Sequence, residues 1–442
     1  MKKISFLLLF YVSLHSLLAQ ISTLAVAPAA PLLTPDEAVR LALEKNFDIR
    51  LSQADADIAR INNTKGNAGM LPTVNLVAGD NVSINGFQQQ NLADGRSFAA
   101  YGALANSVNA GVQLSWTLFD GQRMYITKKR LEEIEKLGTL NLQNTVQQTT
   151  ASVLQTYYEV VRGRLQERAL AEVIVLNEER LRIAEARLAA GMAAQTDALQ
   201  ARIDLNQRRA DLLNQRYATT AAKRMLNRLL ARPAETAFEV VETIENTYEP
   251  LRVELLQKMQ TQNPGLLSLQ KNAQVAALIV DENRSMDKAR IVGIGQLNTQ
   301  RTDNAASLIK NNTQAGLTLG ASLVYPLYTA GNYRRQVESA QLQAQQAVIQ
   351  VDAQRLNIEA ELDNQLAFFQ IQQEGLILEE ENVKNARENL NVSTERFRLG
   401  QTDALETQVA QNTLEQSLFR RNLALYNLKA GELRLRLLAG EL

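Results

Sequence analysis

Two acidic motifs carry most of the chemistry this chain offers. Thr196-Asp197 lies past Gly191 and Thr402-Asp403 lies past Gly400, each glycine closing a long stretch rich in helix formers. A carboxylate beside a hydroxyl can cap a helix, accept hydrogen bonds or attract a cation. Little else is there to help it. The chain has no cysteine and one histidine, His15, which excludes thiolate nucleophiles, disulfides and the usual zinc ligand sets. Asp and Glu are the acid–base groups that remain, but no acid pair stands out from the helix surfaces and no Gly-rich phosphate loop follows a strand. An enzyme such as a carboxylate-dependent hydrolase is therefore rejected, and no metal, cofactor or catalytic residue is expected.

The two motifs are copies of one another. Arg187-Leu-Ala-Ala-Gly191 through Thr196-Asp197-Ala198-Leu199 returns about 209 residues later as Arg396-Phe-Arg-Leu-Gly400-Gln-Thr402-Asp403-Ala404-Leu405. Ser115-Trp-Thr-Leu-Phe-Asp-Gly121 returns as Val324-Tyr-Pro-Leu-Tyr-Thr-Ala-Gly331, and the region around Asn46 returns, more weakly, around Asn263. A period near 200 residues is too long for a solenoid and marks a duplicated domain. The repeats are expected over 28–231 and 251–442, with 232–250 as a linker.

The first 20 residues have a basic start, a short apolar run and small residues, the grammar of a secretory signal cleaved between about Ala19 and Ala27. Losing Lys2 and Lys3 takes a balance of 47 basic and 47 acidic residues to about −2, which argues against nucleic acid as a partner. No later apolar run reaches the roughly 20 residues of a spanning helix.

Two grammars position the motifs. Residues 122–231 and 332–442 read as long helical hairpins, the first arm on the order of 100 Å at 1.5 Å per residue. Leu170, Ile174, Asn177, Leu181, Ala184 and Leu188 recur at steps of four and three, as do Leu199, Ile203, Asn206, Ala210, Leu213 and Tyr217 after the turn; this is a coiled-coil seam. In the second copy Leu376, Val383, Leu390 and Phe397 stand seven apart. Before each hairpin the period changes to two, with strands expected near 73–84, 108–116, 289–298 and 315–325 and polar loops near 88–95 and 299–313. The second strand of each pair is apolar on one face and ends beside aromatics, Trp116 with Phe119 and Tyr325 with Tyr328, which suits the girdle of a membrane β-barrel. A soluble half-buried hairpin also alternates. If the strands span a membrane, four cannot close a barrel and an open edge is forbidden in lipid, so several chains must share one; three would supply twelve strands.

In this ordered set of features the chain resembles the TolC family of outer-membrane efflux channels: a duplication, two strands and a long hairpin per copy, the Phe-Asp-Gly and Pro-Leu-Tyr-Thr-Ala-Gly segments, and the glycine and Thr-Asp tips. The resemblance implies a mainly α protein with a transmembrane β-barrel, a homotrimer whose 12-stranded barrel lies in the outer membrane and continues as an α-helical tunnel into the periplasm. It implies a passive exit duct of a tripartite efflux or type I secretion system, working with a periplasmic adaptor and an inner-membrane transporter. The alternative is a periplasmic coiled-coil adaptor or spacer without a pore.

The resemblance also implies a gate where the hairpin tips converge. Thr196 and Asp197 match the family's Thr-Asp pair in type and distance from the glycine, although helix capping accounts for them equally. In the second copy Asp403 matches Asp197 if three residues are missing, and Glu406 does if none are. Phe397 replaces a tyrosine and so has no hydroxyl to offer, and Thr402 replaces an arginine. Arg187, Arg396 and Arg398 lie near enough to pair with the acids instead.

Overall fold

A computed structural model describes residues 30–304 and 309–442; the expected signal segment lies outside them. Its elements run β1 (Leu32–Leu33), α1 (Pro35–Lys45), α2 (Phe47–Asn62), β2 (Thr73–Asn91), β3 (Ser97–Phe119), α3 (Arg123–Ala189), α4 (Gln195–Leu229), β4 (Glu239–Val240), α5 (Arg252–Gln262), α6 (Pro264–Arg284), β5 (Arg290–Asn304), β6 (Asn311–Val324), α7 (Asn332–Arg398) and α8 (Ala404–Ala439). Both long helices have 67 residues, and each reverses into a shorter partner of 35 or 36. No described helix is long and apolar enough to cross a membrane. The faint repeat around Asn46 and Asn263 has a plain physical content: both are N-caps. The Asn46 side chain accepts from the Asp48 and Ile49 amides at 2.8 and 3.2 Å, and that of Asn263 accepts from Leu266 at 2.8 Å with Pro264 opening the helix.

The chain forms two compact units. One holds the sheet, with Lys45–Ser152, Thr247–Glu374 and Ala430–Leu442; the other holds the hairpin tips, with the described residues 30–44, Val153–Asn246 and Gly375–Lys429. In the sheet unit β2, β3, β5 and β6 make one antiparallel sheet in that order, leaving β2 and β6 as edges. The register sorts the strands into two faces. Leu76, Val112, Leu297 and Leu317 line up across all four strands, and the neighbouring row is Asn75, Gln113, Gln296 and Thr318. The apolar row is exposed to between 41% and 80%, so the described residues leave this apolar face uncovered.

The strands are longer than the alternation indicates. β2 and β3 have 19 and 23 residues, and the reversal needs only residues 92–96, where the Leu92 amide donates to the Arg96 carbonyl at 2.8 Å. The first half of the expected loop 88–95 is strand, as are 299–304 and 311–313. Ladder hydrogen bonds run through the backbone and do not require alternating side chains, so Asn- and Gln-rich ends pair while showing no period of two.

Within the tip unit, β1 and β4 form a short parallel pair held by Tyr157, whose hydroxyl donates to the Leu33 carbonyl at 2.9 Å and accepts from the Val241 amide at 3.2 Å. The helices bury a seam that differs in part from the expected one. Leu170, Asn177 and Ala184 belong to it, but Val173 and Arg180 take the places assigned to Ile174 and Leu181. On α4 the exchange is complete: Ala198, Ala201 and Leu205 are buried, whereas Leu199, Ile203, Leu213 and Tyr217 are 48%, 61%, 64% and 72% exposed. This helix carries two apolar stripes, adjacent in sequence and both stepped by three and four. On α7, Val383, Leu390 and Phe397 are buried together with Ala386 and Ser393 at the intervening steps.

Candidate functional site

The hairpin tips are built alike. Gly191 and Gly400 sit at φ 73° and 74°, a left-handed conformation that costs a side chain about 1–2 kcal/mol. Around the first, the Met192 amide donates to the Arg187 carbonyl at 2.8 Å and the Gly191 amide to Leu188 at 3.0 Å; around the second, Gln401 donates to Arg396 at 2.9 Å and Gly400 to Phe397 at 3.1 Å. Both are Schellman motifs, which satisfy the last carbonyls of a helix. The following helices start at Gln195 and Ala404, each four residues past its glycine.

Equal loops decide the alignment of the second tip: nothing is missing, and Glu406 rather than Asp403 stands at the third helical position held by Asp197. The repeated Thr-Asp letters thus mark different places. Thr196 and Asp197 lie inside the first turn of α4, which starts from Ala194 without a side-chain cap. There Asp197 still meets the positive end of the helix dipole. Asp403 precedes its helix and caps it, its carboxylate accepting from the Glu406 amide at 3.1 Å.

Glu406 is heavily engaged. It accepts from Arg396 at 2.8 Å, from Ser393 at 3.4 Å and from the Thr402 hydroxyl. Arg398 reaches Glu179 on α3 at 3.2 Å. Together with a closer Arg182, it holds the Glu179 carboxyl below its ordinary range, Arg182 contributing most. Arg187, expected as a partner for acids, instead donates to carbonyl oxygens, those of Phe397 at 3.1 Å and Met192 at 3.4 Å. Its guanidinium lies 4.8 Å from the Phe397 ring centre, a cation–π distance. Phe397 is 1% exposed and packs among Ile183, Ala184, Ala198 and Ala201. It joins the hairpins through its carbonyl and its ring face, neither of which needs a hydroxyl.

Deeper in the unit lies a polar group that the sequence reading missed. Arg180, buried in the seam, makes an ion pair with Asp204 across the first hairpin, and Asp204 also accepts from Gln408 on α8 at 2.8 Å and Gln200 at 2.9 Å. Burial pulls the Arg180 guanidinium below its ordinary value despite the carboxylate beside it. With Asp197, Ala404 and Leu405 these residues line a cleft of about 180 Å³. One level further, Arg208 pairs with Glu415 at 3.0 Å and bonds Asn412 at 3.1 Å. A charged residue at a heptad step, Arg180 between Asn177 and Ala184, was the available signal. The arrangement ties one hairpin to the other, and no group of metal-binding side chains occurs among the described residues.

The expected girdle aromatics sit at the inner ends of the strands. Trp116 is in β3 and donates its indole N–H to the Met70 carbonyl at 3.1 Å, and Phe119 is the last residue of that strand. Tyr325 and Tyr328 follow β6 and are 56% and 88% exposed.

Comparison with known proteins gives a consistent result. The family described as Outer membrane efflux protein matches residues 38–232 and 255–441, one segment per repeat. No curated protein matches the chain. Among solved structures it is similar to the outer-membrane channel OprN, at 17% identity and a TM-score of 0.77 over 92% of this chain and 89% of that one. It is also similar to the outer membrane protein VceC from Vibrio cholerae (16%, 0.76, 92% and 96%) and to the Campylobacter jejuni CmeC outer membrane channel (16%, 0.77, 92% and 85%). At these identities the likeness is one of fold.

Proposed function

We infer the function from one premise: this chain belongs to the outer membrane efflux protein family. It is an outer-membrane protein that extends into the periplasm and serves as an exit duct for efflux. Beyond that, we propose that three copies assemble into one tube, each lending four strands to a 12-stranded barrel and two hairpins to a periplasmic tunnel, and that a periplasmic adaptor and an inner-membrane transporter load it. The observation that carries this reading is the sheet itself. It has an apolar face, a polar face and two unpaired edges, β2 and β6, an arrangement that lipid tolerates only when the edges are closed. The second apolar stripe of α4 supports the same conclusion, since Leu199, Ile203, Leu213 and Tyr217 stay about half or more exposed among the described residues.

The gate belongs to this proposal. Thr196, Asp197, Thr402, Asp403 and Glu406 stand at the tips with Arg187, Arg396, Arg398 and Phe397, and the Arg396–Glu406 and Arg398–Glu179 pairs would have to shift for the tips to part. The reading is tested by purifying the chain in detergent and placing it in planar lipid bilayers. A trimer with ion conductance is expected; a monomer that stays in solution without detergent, fractionates with the periplasm and does not conduct would overturn it.

A further inference from the structure

At the inner end of the sheet, where strands give way to helices, a cleft of about 530 Å³ is lined by Arg123, Arg130, Lys288 and Arg290 against two acids, Asp120 and Glu282. Four cations thus face two acids, each with a partner of its own, although one oxygen of Glu282 is buried without one. Glu282 pairs with Arg130 at 3.0 Å, and Asp120 accepts from the Met124 amide at 3.0 Å, capping α3. Lys288 has only an exposed contact with Asp287 at 3.8 Å, and neither Arg123 nor Arg290 has an ion-pair partner among the described residues.

The register says which way this cleft faces. Arg290 pairs with Val324, on the face that carries the Gln296 and Thr318 pair further along β5 and β6, and Thr117 enters the same face through its pairing with Val292. This is the polar face, opposite the row of Leu76, Val112, Leu297 and Leu317. Along its four described strands it presents Asn, Gln, Ser, Thr, Gly and a few apolar residues, with Ser107 and Thr302 3.2 Å apart and Gln300 donating to Ser107 at 2.9 Å. Arg290 is the one charged residue on that face among the described strand residues. In a barrel the face opposite the apolar band lines the lumen. An uncharged wall therefore ends in a patch of surplus positive charge.

We propose that this cleft is an anion-binding station on the conducting path, formed by Arg290, Arg123 and Lys288, which selects for solutes bearing phosphate, sulfonate or carboxylate groups as they pass from tunnel to barrel. The inference rests on the duct reading. Three symmetry-related copies place their guanidinium groups around one lumen, where like charges focus the field on a passing anion, and an arginine fork suits such groups.

The test uses the full-length protein in planar bilayers with tripolyphosphate as the probe, added to the chamber facing the strand end. The wild-type current falls reversibly, and the half-blocking concentration rises about tenfold or more in Arg290→Gln, as expected for the loss of a charge-assisted contact. Arg290→Lys keeps the charge and stays close to wild type, and Arg123→Gln moves in the same direction as Arg290→Gln. Unblocked conductance and trimer size in each variant report on folding. The inference is overturned by a conducting wild type that tripolyphosphate leaves unblocked, or by an unchanged half-blocking concentration in a conducting Arg290→Gln trimer. A wild type that never conducts overturns the duct reading and the station with it.

Discussion

Arg180 and Asp204 show how one buried charge can matter more than many exposed ones. Most of the ion pairs on these helices are solvent-exposed and worth about 0–1 kcal/mol each. Arg180 is enclosed, and removing its partner strands a cation in the seam. Asp204→Ala is expected to weaken the tip by about 3–5 kcal/mol, read as faster cleavage of the hairpin ends by a protease under native conditions; cleavage at the wild-type rate would refute this. Glu415 gives a prediction in pH. Burial pushes its carboxyl above the ordinary 4.5, outweighing Arg208, so the folded protein binds that proton more tightly than the unfolded chain does. The stability it contributes then falls as pH rises through 4.5 and on past the raised value. Measured against Glu415→Gln, which cannot titrate, the wild type should lose protease resistance relative to the variant as pH rises, and a difference that stays constant or moves in the wild type's favour contradicts the assignment.

Helix packing and helix ends explain why two copies with little sequence in common keep one geometry. Gly163 on α3 lies where a Cβ would come within 2.7 Å of the Thr219 hydroxyl on α4, whereas a Cβ at Gly375 on α7 would meet nothing within 4 Å. Gly163→Ala should therefore lower the thermal midpoint. Gly375→Ala should raise stability by about 0.5–1 kcal/mol, because alanine restricts the unfolded chain and suits a helix better. If both variants shift the midpoint in one direction, the close approach of α3 and α4 is not what distinguishes them. The cap positions teach a related lesson. Thr196-Asp197 and Thr402-Asp403 look equivalent as letters, yet one pair lies within a helix and the other before it. The helix starts, fixed four residues past each glycine, show that Glu406 is the structural counterpart of Asp197.

For the molecule as a whole, the open sheet makes the sharpest demand. With no cysteine in the chain, single cysteines along β2 can be paired with one on β6 without interference. Mild oxidation in native membranes should yield covalent dimers and trimers, and no species larger than a trimer if the tube closes at three. A ladder continuing past three, or one that forms only in detergent extracts, would argue for another assembly. Much of this architecture was legible in the sequence: the duplication, the four strands, the long hairpins and the aromatic ends follow from periodicity and turn residues. Their extents were less so, because the Gln- and Asn-rich ends of β2 and β5 pair through the backbone while showing no alternation.

Sequence alone was enough to name the main helices and strands, though not their ends, since the period of apolar residues and the placing of glycine, proline and cap residues act locally. It also settled what the protein does not do with thiols or imidazoles, because those groups are almost absent. Tertiary structure alone decided which of two interleaved apolar stripes on α4 faces its own chain, that Arg187 serves carbonyls rather than acids, that Arg180, Asp204 and Gln408 meet, and that Arg290 stands on the polar face of the sheet. The physical reason is the same in each case. A step of three or four residues fits more than one helix face, and ion pairs between helices join residues hundreds of positions apart, so only the packed chain says which choice is made.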